Sequence, residues 1–172
     1  QQLMQVARVI GAREALESER DVFYVDLGGF DTHADETMIF DGLMGTLDSA
    51  LGNFAAEMRD RDMWGSVAMV TLSDFGRTLT SNGRGTDHAW GGNHFVLGGA
   101  VRGGQIFGQY PTSLAETEAN ELNIGRGRMI PTTPWEGIWH GLAQWFGVDD
   151  GAEMAAVLPN LANFGPEHLL SE

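Results

Sequence analysis

Apolar side chains recur at Leu3, Val6, Ala7, Val9, Ile10 and Leu16, a spacing that predicts a helix over residues 2–18. The run Asp21-Val22-Phe23-Tyr24-Val25-Asp26-Leu27 is rich in β-formers and stops at Gly28-Gly29, so it predicts a buried strand. Next, Phe40, Leu43, Met44, Leu47, Leu51, Phe54, Ala55 and Met58 return at three- and four-residue steps. They predict an amphipathic helix to about Arg59, with Asp35 as its cap and Glu36 in its first turn. Val67 to Leu72 reads as a second strand ending at Ser73-Asp74. Strand, helix and strand in that order predict a right-handed βαβ unit with parallel strands.

Beyond it, residues 76–94 are rich in Gly, Asn and Thr and read as an ordered loop. Phe95-Val96-Leu97 and Gln105-Ile106-Phe107 are short strand candidates between glycine pairs. Residues 111–128 are polar, without a clear period. A helix is expected from Trp135 to Phe146, after Pro131 and Pro134, and Gly147 is a natural stop. The tail, with Pro159, Asn160 and Pro166, reads as loop plus a short helical turn. No repeat or internal boundary divides the 172 residues, which suffice for one domain with a core.

Composition narrows the chemistry. Apolar residues make up 42% and charged residues 20%, as in a globular protein, and no run approaches the roughly 20 apolar residues needed to cross a bilayer. The formal charge of −14 repels phosphate backbones and anionic headgroups, which argues against nucleic-acid and membrane-surface binding. A small anionic substrate stays open, because a bound divalent cation reverses the local sign. All ten basic residues are Arg, so lysine Schiff-base and P-loop chemistry are excluded. Cys is absent, which removes thiol nucleophiles, disulfides and thiolate metal sites. A metal would have to use His, carboxylate, carbonyl or water ligands. The chain opens on Gln1, without a signal-peptide pattern, as expected for a processed chain or part of a longer one.

Three polar loops carry the candidate chemistry: GGFDTH (28–33), SDFGR (73–77) and GTDHAWGGNH (85–94). Asp31 and His33 flank Thr32; side chains at i and i+2 of extended backbone point the same way, so a carboxylate and an imidazole face a common point. The alternative is a turn or helix cap at Asp31. Asp74 follows the second strand, where ligands gather in open α/β sheets; a cap or a pair with Arg77 is the other reading. Asp87, His88 and His94 lie among glycines that permit tight backbone paths, and histidine is the commonest protein metal ligand; exposed loop residues are the alternative. Arg77 offers a planar fork for an anionic group, or for a neighbouring carboxylate. His140 and His168 read as structural or exposed, and the tryptophans as packing.

These motifs together resemble the DUF1501 family, a branch of the alkaline-phosphatase/sulfatase-like superfamily. The resemblance runs through VDLGGFDTHADE, VTLSDFGRTLTSNGRGTDHAWGGNHFVLGGAVRGGQIFGQYP and the closing WFGV and LPNLANF. It implies an α/β fold, a three-layer doubly wound sandwich of alkaline-phosphatase-like type, of which this chain is the C-terminal part. It further implies Asp31 and His33 on a first metal with His88 or His94, and Asp74 on a second. The metal would be divalent: zinc, or alternatively manganese, magnesium or calcium. Phe75 stands where that second site has a histidine, so the site is weakened, lost or rebuilt from Asp87 and His88. The superfamily's nucleophile lies in an N-terminal part; Thr32, Ser73 and Thr86 lie near the loops without marks of activation. Members look exported through a twin-arginine leader, which implies a periplasmic or extracellular location.

Two functions follow as expectations. One is a metal-dependent hydrolase of phosphate or sulfate esters, with Arg77 stabilising transition-state charge. The other is a catalytically degenerate hydrolase fold acting as a structural or assembly subunit, joined to its missing N-terminal half or to other subunits. A sugar-binding domain built on Trp and Gly-rich loops carries less weight.

Overall fold

The computed structural model describes residues 1–117 and 120–169; Glu118 and Ala119 of the polar 111–128 stretch, and the last three residues of the tail, lie outside the described residues. The helices are α1 (Gln2–Gly11), α2 (Glu36–Asp60), α3 (Trp135–Phe146) and α4 (Gly151–Val157). The strands are β1 (Ala68–Val70), β2 (Gly76–Arg77), β3 (His88–Ala89) and β4 (Val96–Gly98). Helix and strand mix in an α/β chain whose described sheets are small and antiparallel. The chain forms two compact units, the first from Gln1–Leu72, Thr80–Asp87 and His94–Val101, the second from Ser73–Leu79, His88–Asn93 and the described part of Arg102–Glu172.

In the first unit the core forms where α1 meets the C-terminal half of α2. Ala7, Phe54 and Met58 are buried, and Leu3, Val6, Ile10, Met63, Trp64, Val67 and Met69 pack around them. α1 stops at Gly11 rather than at residue 18, because residues 12–18 hold one large apolar side chain, Leu16, which is itself exposed. Without a stripe to bury, helix propensity alone does not carry a short segment. α2 has the expected length, but only the far end of its stripe is buried; Met38, Ile39 and Phe40 of its first turns are exposed. Asp35 precedes α2 in the left-handed region, φ 53°, and makes no side-chain cap. Its carboxylate lies 3.8 Å from the Arg84 guanidinium instead.

The expected parallel βαβ unit does not form among the described residues. β1 pairs antiparallel with β4, in the register Ala68↔Gly98, Met69↔Leu97, Val70↔Val96. Asp21–Leu27 is not a strand, and every residue from 19 to 29 is exposed. One carboxamide imitates a strand neighbour there: Gln2 accepts from the Asp26 N–H at 3.0 Å and donates to the Asp26 carbonyl at 2.9 Å. A β-former run becomes a strand only where a second backbone lies alongside, and periodicity does not report that neighbour.

The second unit holds the β2–β3 pair, in the register Gly76↔Ala89 and Arg77↔His88, and the C-terminal helices. α3 matches its expected bounds: Pro134 precedes it, and Gly147 ends it at φ 102°, the left-handed C-terminal stop glycine adopts readily. Trp135 and Trp139 stack along it with centroids 6.3 Å apart. The tail is more helical than its sequence suggested. The Asp150 carboxylate accepts from the N–H groups of Ala152 (2.6 Å) and Glu153 (3.2 Å), capping α4, and two short 3₁₀ turns follow. No strand forms at 105–107.

Candidate metal centre

The site in the first unit is built from two loops, residues 28–35 and 80–87. In the first, the Thr32 N–H donates to the Phe30 carbonyl at 2.9 Å, a tight γ-turn centred on Asp31. The turn sends Thr32 inward, 4% exposed, and leaves Asp31 and His33 facing out on either side of it. Asp31 Oδ1 then lies 2.9 Å from His33 Nε2. The other ring nitrogen, His33 Nδ1, is 3.3 Å from Asp87 Oδ1.

The second loop is tied by its own polar side chains. The Ser81 hydroxyl donates to the Gly85 carbonyl at 2.9 Å and accepts from the Gly83 N–H at 3.0 Å. The Asn82 side-chain oxygen accepts from the N–H groups of Arg84 (3.0 Å) and Gly85 (2.9 Å), a turn chemistry at which asparagine excels. The Asn82 amide donates to the His33 carbonyl at 3.2 Å and to Asp87 Oδ1 at 3.0 Å. Gly85 is buried against the first loop. A Cβ added there would stand 2.8 Å from the Thr32 carbonyl oxygen and from the His33 carbonyl carbon, so only glycine lets the backbones meet. The Thr86 hydroxyl donates to Glu36 in the first turn of α2 at 2.7 Å, which anchors the loop's end.

The structure therefore brings together three of the expected site residues, Asp31, His33 and Asp87. They do not present three ligands to one point, because Asp31 faces Nε2 while Asp87 faces Nδ1 on the opposite edge of the ring. Within the first unit no other described carboxylate or imidazole joins Asp31 and His33 in a tight group of three. His94 also belongs to the first unit but stands apart from that pair, half-buried beside β1. Burial lowers its pKa below the ordinary histidine range, and a hydrogen bond with the Thr71 backbone works in the opposite direction.

Asp74, Arg77 and His88 belong to the second unit. Asp74 is exposed on the bend before β2. The Phe75 ring lies parallel to the His88 imidazole, 4.2 Å between centroids and 8° between planes. The Arg77 guanidinium sits 5.7 Å from the centroid of the same Phe75 ring, a cation–π contact. Phe75, noted in the sequence for the ligand it lacks, thus supports an imidazole and a guanidinium. The three hydroxyls near the loops have structural surroundings: Thr32 is buried, Thr86 bonds Glu36, and Ser73 donates to the Phe75 carbonyl at 2.9 Å. His168 lies in a 3₁₀ turn with Nε2 3.5 Å from its neighbour Glu167, a carboxylate the sequence reading passed over. The larger omission was Asn82; its signal was the Ser-Asn-Gly run, which marks a turn with a side chain free to bond backbone.

A carboxylate oxygen and a neutral imidazole nitrogen side by side on an exposed rim suit zinc or manganese, and the carboxylate suits magnesium or calcium. Such a pair supplies two ligands of the four or more that these ions take. A family model described as "Protein of unknown function (DUF1501)" matches residues 1–125. The WFGV and LPNLANF segments of the tail lie beyond that match. No curated protein and no solved structure matches the chain. With about three-quarters of its length covered, and both loops of the candidate centre inside the match, the chain belongs to the DUF1501 family.

Proposed function

We propose that the chain carries the divalent-metal site of a phosphate- or sulfate-ester hydrolase, in a branch of the alkaline-phosphatase/sulfatase-like superfamily with its three-layer sandwich fold. The observation that carries this reading is the exposed Asp31–His33 pair at 2.9 Å, held by two loops that bond to one another. Asp31 Oδ1 and His33 Nε2 are the donors that would hold the ion. When bound, such an ion polarises the ester oxygen and acidifies a water. The chain's own part is to hold the carboxylate and imidazole in place. The roles expected of Asp74, Arg77, His88 and His94 rest on their residue types and loop positions in the sequence together with the family resemblance, and single substitutions test each one.

Elemental analysis of the purified protein is the direct test. Stoichiometric zinc, manganese, magnesium or calcium, lost in an Asp31→Ala/His33→Ala variant of unchanged circular dichroism, is the expected result. Turnover on a panel of phosphate and sulfate esters should then disappear in Asp31→Ala. A protein that takes up none of the four ions when they are added removes this reading.

The second reading, a degenerate hydrolase fold serving as an assembly subunit, is favoured by a different observation. Val22 and Tyr24 in the unladdered β-former run are 85% and 81% exposed. Backbone and side chains of this kind are ordinarily covered by another strand.

A further inference from the structure

We propose that Asn82 is a positioning residue, and that Asp87 is the group it positions rather than a metal ligand. Asp87 approaches the Nδ1 edge of His33, at 3.3 Å, while Asp31 faces Nε2 at 2.9 Å. One imidazole cannot present the same nitrogen to both. A histidine that ligates through Nε2 characteristically donates its Nδ1–H to a carboxylate, which fixes both the tautomer and the ring's orientation. Asp87 is placed for that role. It holds the place because the Asn82 amide donates to the same Oδ1 atom at 3.0 Å and, at 3.2 Å, to the carbonyl of His33 itself. A single carboxamide therefore ties the imidazole's backbone to the carboxylate that steers its ring. The other end of the carboxamide is fixed by the N–H groups of Arg84 and Gly85, so the donor is aimed by its own turn.

The consequence for metal affinity rests on the reading of Asp31 and His33 as ligands; the orientation of His33 does not. The test separates the two. Asn82→Asp keeps the oxygen that accepts from Arg84 and Gly85 but replaces the amide donor with an acceptor that repels Asp87. The turn survives and the positioning is lost. ¹⁵N NMR of the ring nitrogens, at a pH where the imidazole is neutral, reads the tautomer of His33. It is assigned by loss of its signal in His33→Gln. In an Asp31→Ala background, where metal binding plays no part, the proton is expected on Nδ1, facing Asp87. Adding Asn82→Asp or Asp87→Asn should move it toward Nε2. A proton on Nε2 already in Asp31→Ala, or a tautomer unchanged by either added substitution, overturns the proposal.

Calorimetric zinc titration supplies the second readout. Asn82→Ala in the otherwise unaltered chain should weaken zinc binding by about 10- to 100-fold, the usual effect of removing a group that orients a ligating histidine. Wild-type affinity in a folded Asn82→Ala variant also overturns the proposal. A wild-type chain that binds no zinc, manganese, magnesium or calcium removes the metal reading instead, and the NMR result then decides the role of Asn82 by itself.

Discussion

At the scale of single residues, the loops around Asp31 are ordered by short polar side chains rather than by ladders. Thr32 turns in, Asp31 and His33 turn out, and Gly85 gives the second loop room to lie on the first. The carboxylate and imidazole of the pair are at least half exposed, so a contact between them contributes little stability. Their value is geometric. His94 behaves differently, because burial holds its imidazole toward the neutral form. Its folded-state pKa lies below the unfolded value of about 6.5. The unfolded chain therefore binds more protons between those two values, and stability falls as pH drops through that window. Above about 6.5 both states are neutral at this residue and the contribution is intact. The midpoint of urea unfolding should decrease from pH 7 toward the folded-state pKa, and less steeply in His94→Gln. Equal slopes for the two proteins would assign the acid sensitivity to other groups.

At the scale of elements, the described helices are bounded by what they bury and by how their ends are closed. α1 ends where its apolar stripe ends, and α3 ends on a left-handed glycine. α4 has seven residues, too short to persist by propensity, and its start depends on the Asp150 cap. Asp150→Ala removes the acceptor for two backbone N–H groups and is expected to cost about 1 kcal/mol, within the 0.5–2 range for such caps. Comparison of denaturant midpoints at equal m-value checks it. An unchanged midpoint would mean that water serves the two N–H groups equally well. The Asp150-Gly-Ala-Glu153 order carried this cap in the sequence, since Asp followed three residues later by Glu is a helix-start signature.

At the scale of the whole molecule, two surface properties oppose one another. A formal charge of −14 keeps copies apart. The unladdered run around Val22 and Tyr24, with Met38 and Phe40 also exposed, favours association with any chain that offers a strand or an apolar face. Salt screens the first and leaves the second, so self-association should grow with ionic strength. Sedimentation across a salt series is the check, with Val22→Ser/Tyr24→Ser expected to lower the association at high salt. A protein that stays monomeric throughout, and unfolds cooperatively, would remove the expectation that this surface seeks a partner.

The sequence by itself determined the helices with the strongest periodicity, the glycine stop after Phe146, the acidic charge, the exclusion of thiol and lysine chemistry, and the family. These are local or compositional properties, written in spacing and residue type. It also named Asp31 and His33 as a pair, but the pair forms across a γ-turn centred on Asp31 and not along the extended backbone from which the pairing was expected. Only the tertiary structure decided which β-former runs became strands. Val67–Leu72 found a partner in β4, whereas Asp21–Leu27 found the carboxamide of Gln2. It also decided that Asp87 and Asn82, more than 45 residues after His33, would reach His33 from the ring's other edge and its backbone. Strand pairing and contact between distant loops depend on which segments come to lie side by side, and the pattern along a chain records the side chains of a segment but not its neighbours.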